Sequence, residues 1–249
     1  MPHPADHALD RPALLAALRA RAARLSPGGA ALPVGENLHL CAAIDQGLPG
    51  GGLARAALHE ILAADPGEAA GFCALLLARA GGSVLWIASE PAAWPPGLSR
   101  FGLSPADLVL VQAPRVEDAI WAMEEGLRCP GISGALLAMP EADPESVRRL
   151  QLAAESGGGI GLLLRREGEA EGASAALTRW RVGALAGSGG AANDLGDPRW
   201  RLDLLRSRGG RPQSWQVVWR GAAERLELDA GAEQDLAAPP VRASRRRSR

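Results

Sequence analysis

The segment from Ala63 to Ala70 has the position and length of a phosphate-binding loop, but it lacks the residue types that such a loop needs. A working loop has the spacing Gly-x-x-x-x-Gly-Lys-Ser/Thr, because glycine N–H groups surround the phosphates, the lysine reaches the outer phosphates and the hydroxyl holds magnesium. Here Ala63 and Glu68 replace the glycines, Ala69 the lysine and Ala70 the hydroxyl residue. We therefore predict a loop scaffold without nucleotide chemistry, with a carboxylate pointing into the former anion site.

The segments around this loop have apolar patterns that predict an α/β fold. Apolar runs of strand length alternate with helical stripes, and this alternation indicates crossover units and a parallel sheet. The strands are predicted at 57–62, 83–88, 109–111, 135–139 and 160–164. The run Asp143-Pro144-Glu145 combines an N-cap, a proline at the first helical position and an early acid. This combination predicts that a helix starts there.

Three later segments have a different periodicity. Residues 177–182, 200–206 and 214–220 alternate apolar and polar side chains. Period-two alternation is typical of strands with one exposed face, so we predict antiparallel strands that extend the sheet. From Arg179 to Arg225 the chain has nine arginines and four acidic residues, so this extension is expected to be basic.

The composition excludes several kinds of chemistry. All 27 basic residues are arginine, which rules out Schiff-base and other lysine-dependent mechanisms; a GC-rich coding sequence explains this bias better than a functional need for arginine. Cys41, Cys73 and Cys129 lie far apart without a histidine at metal-ligand spacing, so we expect reduced core cysteines in a cytoplasmic protein. We predict no metal, no cofactor, no membrane span and no signal peptide.

Two terminal segments flank a core that we place at residues 33–228. Residues 1–32 are predicted to form an amphipathic helix and a linker, and the helix docks on its own core or on a neighbouring molecule; its apolar face includes Leu14, Leu18 and Leu25. Residues 229–249 are expected to form a disordered charged tail, in which an acidic block precedes Arg242, Arg245, Arg246 and Arg247. The tail either binds a partner or is a solvated end.

Four arginines in the core are candidates for contact with DNA. Arg148 and Arg149 lie on the flank of the helix that starts near Asp143, and Arg165 and Arg166 begin an acidic loop. Guanidinium groups that neutralise phosphates can bind nucleic acid without reading its sequence. The alternative is that these side chains are solvated faces in a chain with a net charge of −1.

The order of these segments resembles the RecA-like recombinase core, with residues 44–63 corresponding to the stretch that leads into the phosphate loop. More specific blocks resemble the ImuA family, the inducible-mutagenesis relatives of RecA. They are Trp-Ala-Met-Glu-Glu at 121–125, Arg-Gly-Gly-Arg-Pro at 208–212, and further matches at 85–87, 101–103, 148–155 and 177–182. The resemblance covers about residues 33–228. It implies an α/β fold with a RecA-like three-layer core, whose mostly parallel sheet is extended by C-terminal antiparallel strands.

The resemblance also assigns two further positions of the degenerate nucleotide site. Glu90 corresponds to the glutamate that orients water in RecA-like ATPases, and Met139 stands where a strand-end acid would hold magnesium. Phosphoryl transfer depends on positioning the triphosphate and its metal ion, so Glu90 alone would not suffice. We therefore interpret Glu90 as a structural relic and the chain as a pseudo-ATPase.

For function, the resemblance implies a cytoplasmic, DNA-damage-induced factor of the SOS response that assists error-prone translesion DNA synthesis. The implied partners are an inactive Y-family polymerase-like protein and an error-prone C-family DNA polymerase, with RecA and DNA as further candidates. Two alternatives stay open. One is a SulA-like inhibitor of cell division that binds a cytoskeletal GTPase, and the other is an active RecA-type ATPase that uses a displaced loop.

Overall fold

One mixed sheet of nine strands carries the fold. The computed structural model describes residues 37–90, 93–139, 142–168, 172, 174–187 and 196–229. The predicted N-terminal helix and almost all of the predicted tail lie outside the described residues, and so do the candidate partner-binding residues Leu14, Leu18, Leu25, Arg242, Arg245, Arg246 and Arg247.

Strands and helices alternate through the first part of the described chain, and strands alone make up most of the second. The strands are β1 (Ala57–Ala63), β2 (Ser83–Ala88), β3 (Leu108–Gln112), β4 (Ile132–Ala138), β5 (Ile160–Arg166), β6 (Thr178–Leu185), β7 (Arg199–Ser207), β8 (Gln213–Arg220) and β9 (Arg225–Leu228). The helices are α1 (Ala42–Gly47), α2 (Pro66–Ala80), α3 (Pro95–Ser99), α4 (Val116–Arg128) and α5 (Pro144–Gly157), followed by a 3-10 turn at Gly221–Ala223.

The strand order is β3-β2-β4-β5-β1-β6-β7-β8-β9. Strands β1 to β5 pair in parallel, and β7, β8 and β9 continue the sheet in antiparallel pairs. The predicted antiparallel extension is confirmed, and β6 joins it to the parallel strands: β6 pairs antiparallel with β7 and in parallel with β1, with His59 opposite Thr178. Because β5 and β6 both run parallel to β1, the end of β5 at Arg166 and the start of β6 at Thr178 lie at opposite ends of the sheet.

Apolar side chains on the two faces of the sheet form two separate cores. On one face, Phe72, Leu75 and Leu76 of α2 pack with Ile61 of β1 and with Trp180 of β6. On the other face, α4 and α5 cover β2, β4, β5 and β1. Strands β1, β2, β4 and β5 are buried along nearly their whole length, as expected for a sheet with helices on both sides.

The start of α5 confirms the predicted helix signal. The Asp143 carboxylate accepts hydrogen bonds from the backbone N–H groups of Glu145 and Ser146, each at 2.9 Å, and Pro144 occupies the first turn. The Ser146 hydroxyl, which donates to Asp143 Oδ2 at 2.6 Å, and these backbone contacts hold the pKa of Asp143 below its usual value. The helix ends at Gly158, whose φ of 80° is a left-handed conformation that glycine adopts without strain.

Candidate functional site

The turn between β1 and α2 is much shorter than a phosphate loop. Only Ala64 and Asp65 separate the strand from the helix, which already begins at Pro66. The Asp65 carboxylate accepts a 2.8 Å hydrogen bond from Gly67 N–H, and the Asp65 carbonyl accepts one of 2.9 Å from Glu68 N–H. Free N–H groups at a helix N-terminus are what binds an anion. Here Asp65, a residue that our sequence analysis did not single out, occupies two of them.

Three alanines stand where the phosphate chemistry would be. Ala63 and Ala69 are fully buried and belong to the core beneath α2, while Ala70 is half-buried. None of these side chains can hydrogen-bond a phosphate or coordinate a metal ion. Ala69 and Ala70, which replace the lysine and the hydroxyl residue of a working loop, therefore contribute packing.

Glu68 differs from its predicted orientation. Its carboxylate Oε2 accepts a hydrogen bond of 3.4 Å from Ala184 N–H at the end of β6, and its carbonyl accepts one of 3.1 Å from Trp200 Nε1. The side chain lies in the first turn of α2 and faces the strand extension, because α2 begins two residues before it. Glu68 thus connects α2 to β6 and β7.

The end of β5 closes the other side of this turn. Arg166 Nη1 donates a 3.0 Å hydrogen bond to the Ala64 carbonyl, and Glu167 N–H donates one of 2.7 Å to the Ala63 carbonyl. Arg166 is otherwise exposed. The turn is therefore tied both to the segment that leaves β5 and to the strand extension.

Met139 and Glu90 lie at the same end of the sheet but not at the turn. Met139 follows β4 and is 5% exposed, with its N–H directed to the Leu164 carbonyl at 3.3 Å. Glu90 is exposed and follows β2, which β4 and β5 separate from β1. At about 4.8 Å per strand, β2 and β1 are roughly 14 Å apart, so Glu90 does not contact the turn.

A buried carboxylate in β1 organises the arginines next to it. Glu60 is fully buried, and its two oxygens accept from Arg179 Nε at 2.8 Å and from Arg165 Nη1 at 3.5 Å. The three residues come from adjacent strands, because Glu60 lies opposite Arg179 and beside the end of β5. Sequence analysis missed Glu60, since its partners lie 105 and 119 positions away.

This network changes the interpretation of the candidate DNA-binding arginines. Arg165 is 8% exposed, so it has little surface for a phosphate, and its placement counts against the predicted DNA contact. Arg148 is exposed, while Arg149 donates from Nε to Glu124 at 3.1 Å. Whether Arg148, Arg149 and Arg166 contact DNA stays a prediction.

Glu124 of α4 joins this helix to α5 through Arg149, and it also pairs with Arg128 of its own helix at 2.7 Å. Burial by itself would raise the pKa of Glu124, but the hydrogen bonds and charges of Arg149 and Arg128 lower it overall. The hydrogen bond to Glu124 raises the pKa of Arg149 in turn. An Arg149 engaged in this pair has a structural role that the sequence did not reveal.

Three arginines anchor the segment that crosses from β5 to β6. Arg179 Nη1 donates to the Gly172 carbonyl at 3.1 Å, Arg208 Nη2 donates to the Ala175 carbonyl at 3.2 Å, and Arg206 Nη2 donates to the carbonyl of Ala176. The described residues of this crossing form no helix. Arginine side chains therefore hold Gly172, Ala175 and Ala176 in place.

Most arginines on the open face of the strand extension have acidic partners. The pairs, with their separations, are Arg181–Glu167 (2.6 Å), Arg201–Asp203 (3.1 Å), Arg220–Asp197 (2.8 Å) and Arg225–Glu227 (2.8 Å), together with Arg199–Asp229. The basic character predicted for this region is thus largely neutralised by neighbouring carboxylates.

The described residues contain neither a candidate metal site nor a helix that could span a membrane. Within these ranges, no group of three or more His, Cys, Asp and Glu side chains could hold a metal ion. In the same part of the chain, no helix has the length and apolar character needed to cross a bilayer.

Comparison with known proteins gives relatives in sequence and in fold. The chain is 38% identical over 192 residues to Protein ImuA from two strains of Caulobacter vibrioides, a match that covers 69% of this chain and 78% of the relative. No protein-family model matches. The crystal structure of the RadB recombinase is similar with a TM-score of 0.56 at 13% identity, covering 80% of this chain and 99% of RadB. That likeness gives the fold, which is RecA-like.

Proposed function

This chain belongs to the ImuA family, and from that premise we propose that it is a non-catalytic, RecA-like adaptor in DNA-damage-induced, error-prone translesion synthesis. The proposal places it in the cytoplasm, as a bridge between an inactive Y-family polymerase-like protein and an error-prone C-family polymerase. RecA and DNA are further candidate partners. The RecA-like sheet supports the accessory role, because it keeps a recombinase scaffold.

The observation that carries the non-catalytic part is the closed turn between β1 and α2. The Asp65 carboxylate caps the helix where phosphate oxygens would have to bind. The buried Ala69 offers no cation to balance a triphosphate. A nucleotide would therefore have to displace a carboxylate cap and then bind without lysine, which removes the positioning that phosphoryl transfer requires.

Calorimetry with ATP and magnesium tests this part directly. We expect no saturable heat at millimolar nucleotide, because the charge of Asp65 repels phosphate and no lysine replaces it. The variant Asp65→Ala removes the cap and should lose about 1 kcal/mol of stability while still binding no ATP. A micromolar dissociation constant for the wild-type protein would contradict the pseudo-ATPase proposal and favour the active RecA-type alternative.

Co-purification tests the adaptor part. The full chain should form a stable complex with the Y-family polymerase-like protein, and that complex should retain the C-family polymerase. A chain that instead bound a cytoskeletal GTPase of cell division, and neither polymerase, would favour the SulA-like alternative. DNA binding is measured separately, from the dependence of affinity on salt.

A further inference from the structure

The two edges of the nine-stranded sheet differ in how they are protected. Strand β9 forms one edge and carries Arg225 and Glu227, which pair at 2.8 Å on the surface. Strand β3 forms the other edge, and its sequence Leu-Val-Leu-Val-Gln contains no charge. Charged side chains on an edge strand oppose pairing with another chain, whereas an uncharged apolar edge invites it.

The backbone of β3 is available for such pairing. Val84 N–H donates to the Asp107 carbonyl and Ala113 N–H donates to the Ala88 carbonyl, so alternate residues starting at Asp107 face β2. The residues between them, including Leu110 and Gln112, direct their N–H and C=O groups away from β2. Among the described residues, no strand pairs with that side.

A pocket lies beside this edge, on the face of the sheet that α2 covers. It has a volume of about 260 Å3, and its walls include Trp86, Ala88, Ala93 and Leu110. Leu110 is 48% exposed, so an apolar side chain at the rim faces solvent. A residue on a strand added to β3 would point to this face at every second position and could fill the pocket.

One charged group of the pocket defines what would fill it. Glu90 is the ionisable side chain that lines the pocket, and it is exposed. The other walls are largely apolar and include Trp86, which is 3% exposed. The occupant must therefore present an apolar side chain and a positive charge near Glu90.

We propose that the β3 edge and its pocket bind an extended peptide segment of a partner protein, one that has a bulky apolar residue and an arginine or lysine beside it. The segment adds a strand to β3 by main-chain hydrogen bonds, and the pocket selects its side chains. The site lies at β2 and β3, away from the degenerate turn at β1. It gives the Glu90 position a binding role that needs no nucleotide.

The surface is tested first without any assumption about the partner. A phage-displayed library of short random peptides is selected on the full chain, and selected peptides are synthesised and their affinities measured by fluorescence anisotropy. We expect peptides that alternate apolar residues and carry a basic residue. Leu110→Arg should weaken them at least about tenfold, and Glu90→Arg should weaken the basic peptides selectively.

Matched control variants distinguish specific binding at this surface from non-specific hydrophobic binding. Leu152→Arg on α5 and Leu228→Arg on β9 change leucines of similar exposure, 52% and 49%, and should leave affinity within about twofold. A peptide with an N-methyl group on the edge-pairing N–H should lose binding. The indole N–H signal that disappears in Trp86→Phe should shift when the peptide binds.

Selected peptides that bind Leu110→Arg as tightly as wild type, or a library that yields no binder at this edge, would overturn the inference. The identity of the partner rests on the proposed function, so the same variants are then measured against the Y-family polymerase-like protein. A complex that forms equally with Leu110→Arg contradicts the site and leaves the adaptor intact, whereas no complex with wild type contradicts the adaptor alone.

Discussion

Strands β1, β4 and β5 of the parallel part have helices on both faces, whereas strands β6–β9 bury one face and expose paired charges on the other. In the parallel part, side chains are apolar with few exceptions, and buried exceptions such as Glu60, Arg165 and Ser133 have hydrogen-bond partners. His59 and Glu60 are the two polar residues of β1, and both are completely buried. In the extension, arginine and carboxylate side chains form ion pairs on the exposed face of the sheet. A charge therefore has a large energetic effect in the first region and a small one in the second.

Strand β6 joins the two regions, because it is parallel to β1 and antiparallel to β7. Thr178 at its start receives a 2.7 Å hydrogen bond from Trp180 Nε1 and lies 2.7 Å from His59 Nδ1. The other ring nitrogen of His59 faces the Ala54 carbonyl at 2.8 Å and must donate to it, so the Thr178 hydroxyl donates to Nδ1. Buried polar contacts thus fasten the extension to the parallel sheet.

Among the substitutions that test this difference, Glu60→Ala should cause the largest loss of stability. It leaves Arg165 and Arg179 without their common carboxylate in a buried site, and breaking a buried pair in this way costs about 3–5 kcal/mol. Urea unfolding measures the loss. A loss under 1 kcal/mol would show that the Glu60 network behaves like the exposed pairs of the extension. Arg225→Ala, which breaks an exposed pair, is the control.

The pH dependence of stability should come next in size. Burial lowers the pKa of His59 from 6.5 to about 4, and the hydrogen bond to Ala54 opposes this only in part. The unfolded chain therefore binds a proton below pH 6.5 that the folded chain does not bind until about pH 4. Stability from this residue is complete above pH 6.5 and falls as the pH decreases towards 4, where the loss levels off.

Between pH 7 and pH 4.5 this loss should reach about 2–3 kcal/mol. The variant His59→Gln lacks the titrating group. Over the same interval its free energy of unfolding should therefore fall by about 2–3 kcal/mol less than that of the wild type. Unfolding curves of both proteins at the two pH values give the difference. Parallel curves for the wild type and the variant would show that His59 titrates normally in the fold.

Breaking an ion pair on the open face of the extension should cause the smallest loss of stability. Arg181 and Glu167 have side chains that are 36% and 41% exposed, and exposed pairs contribute about 0–1 kcal/mol. Arg181→Ala should therefore cost less than about 1 kcal/mol, and the cost should shrink in high salt because ions screen surface charges. A larger loss that persists in high salt would mean that packing of the arginine stem, not charge, stabilises this face.

Local signals in the sequence predicted much of the fold. The helix start at Asp143 and Pro144 depends on contacts within three residues, and it is confirmed. Asp65 and Pro66 form the same signal at the degenerate loop. Comparing these two sites would have predicted an early helix start, and with it the closed turn. The apolar runs of the parallel strands were predicted because burial on both faces leaves an unbroken pattern.

The sequence by itself determined that no lysine is available for a phosphate loop, because none exists anywhere in the chain. It also determined the alternation that requires a parallel sheet. Only the tertiary structure decided that Arg165 faces Glu60 and that β6 runs parallel to β1. It alone left β3 as an uncharged edge beside a pocket. These features depend on which distant strands become neighbours and in what register, and that choice minimises the free energy of the whole core rather than of any local segment.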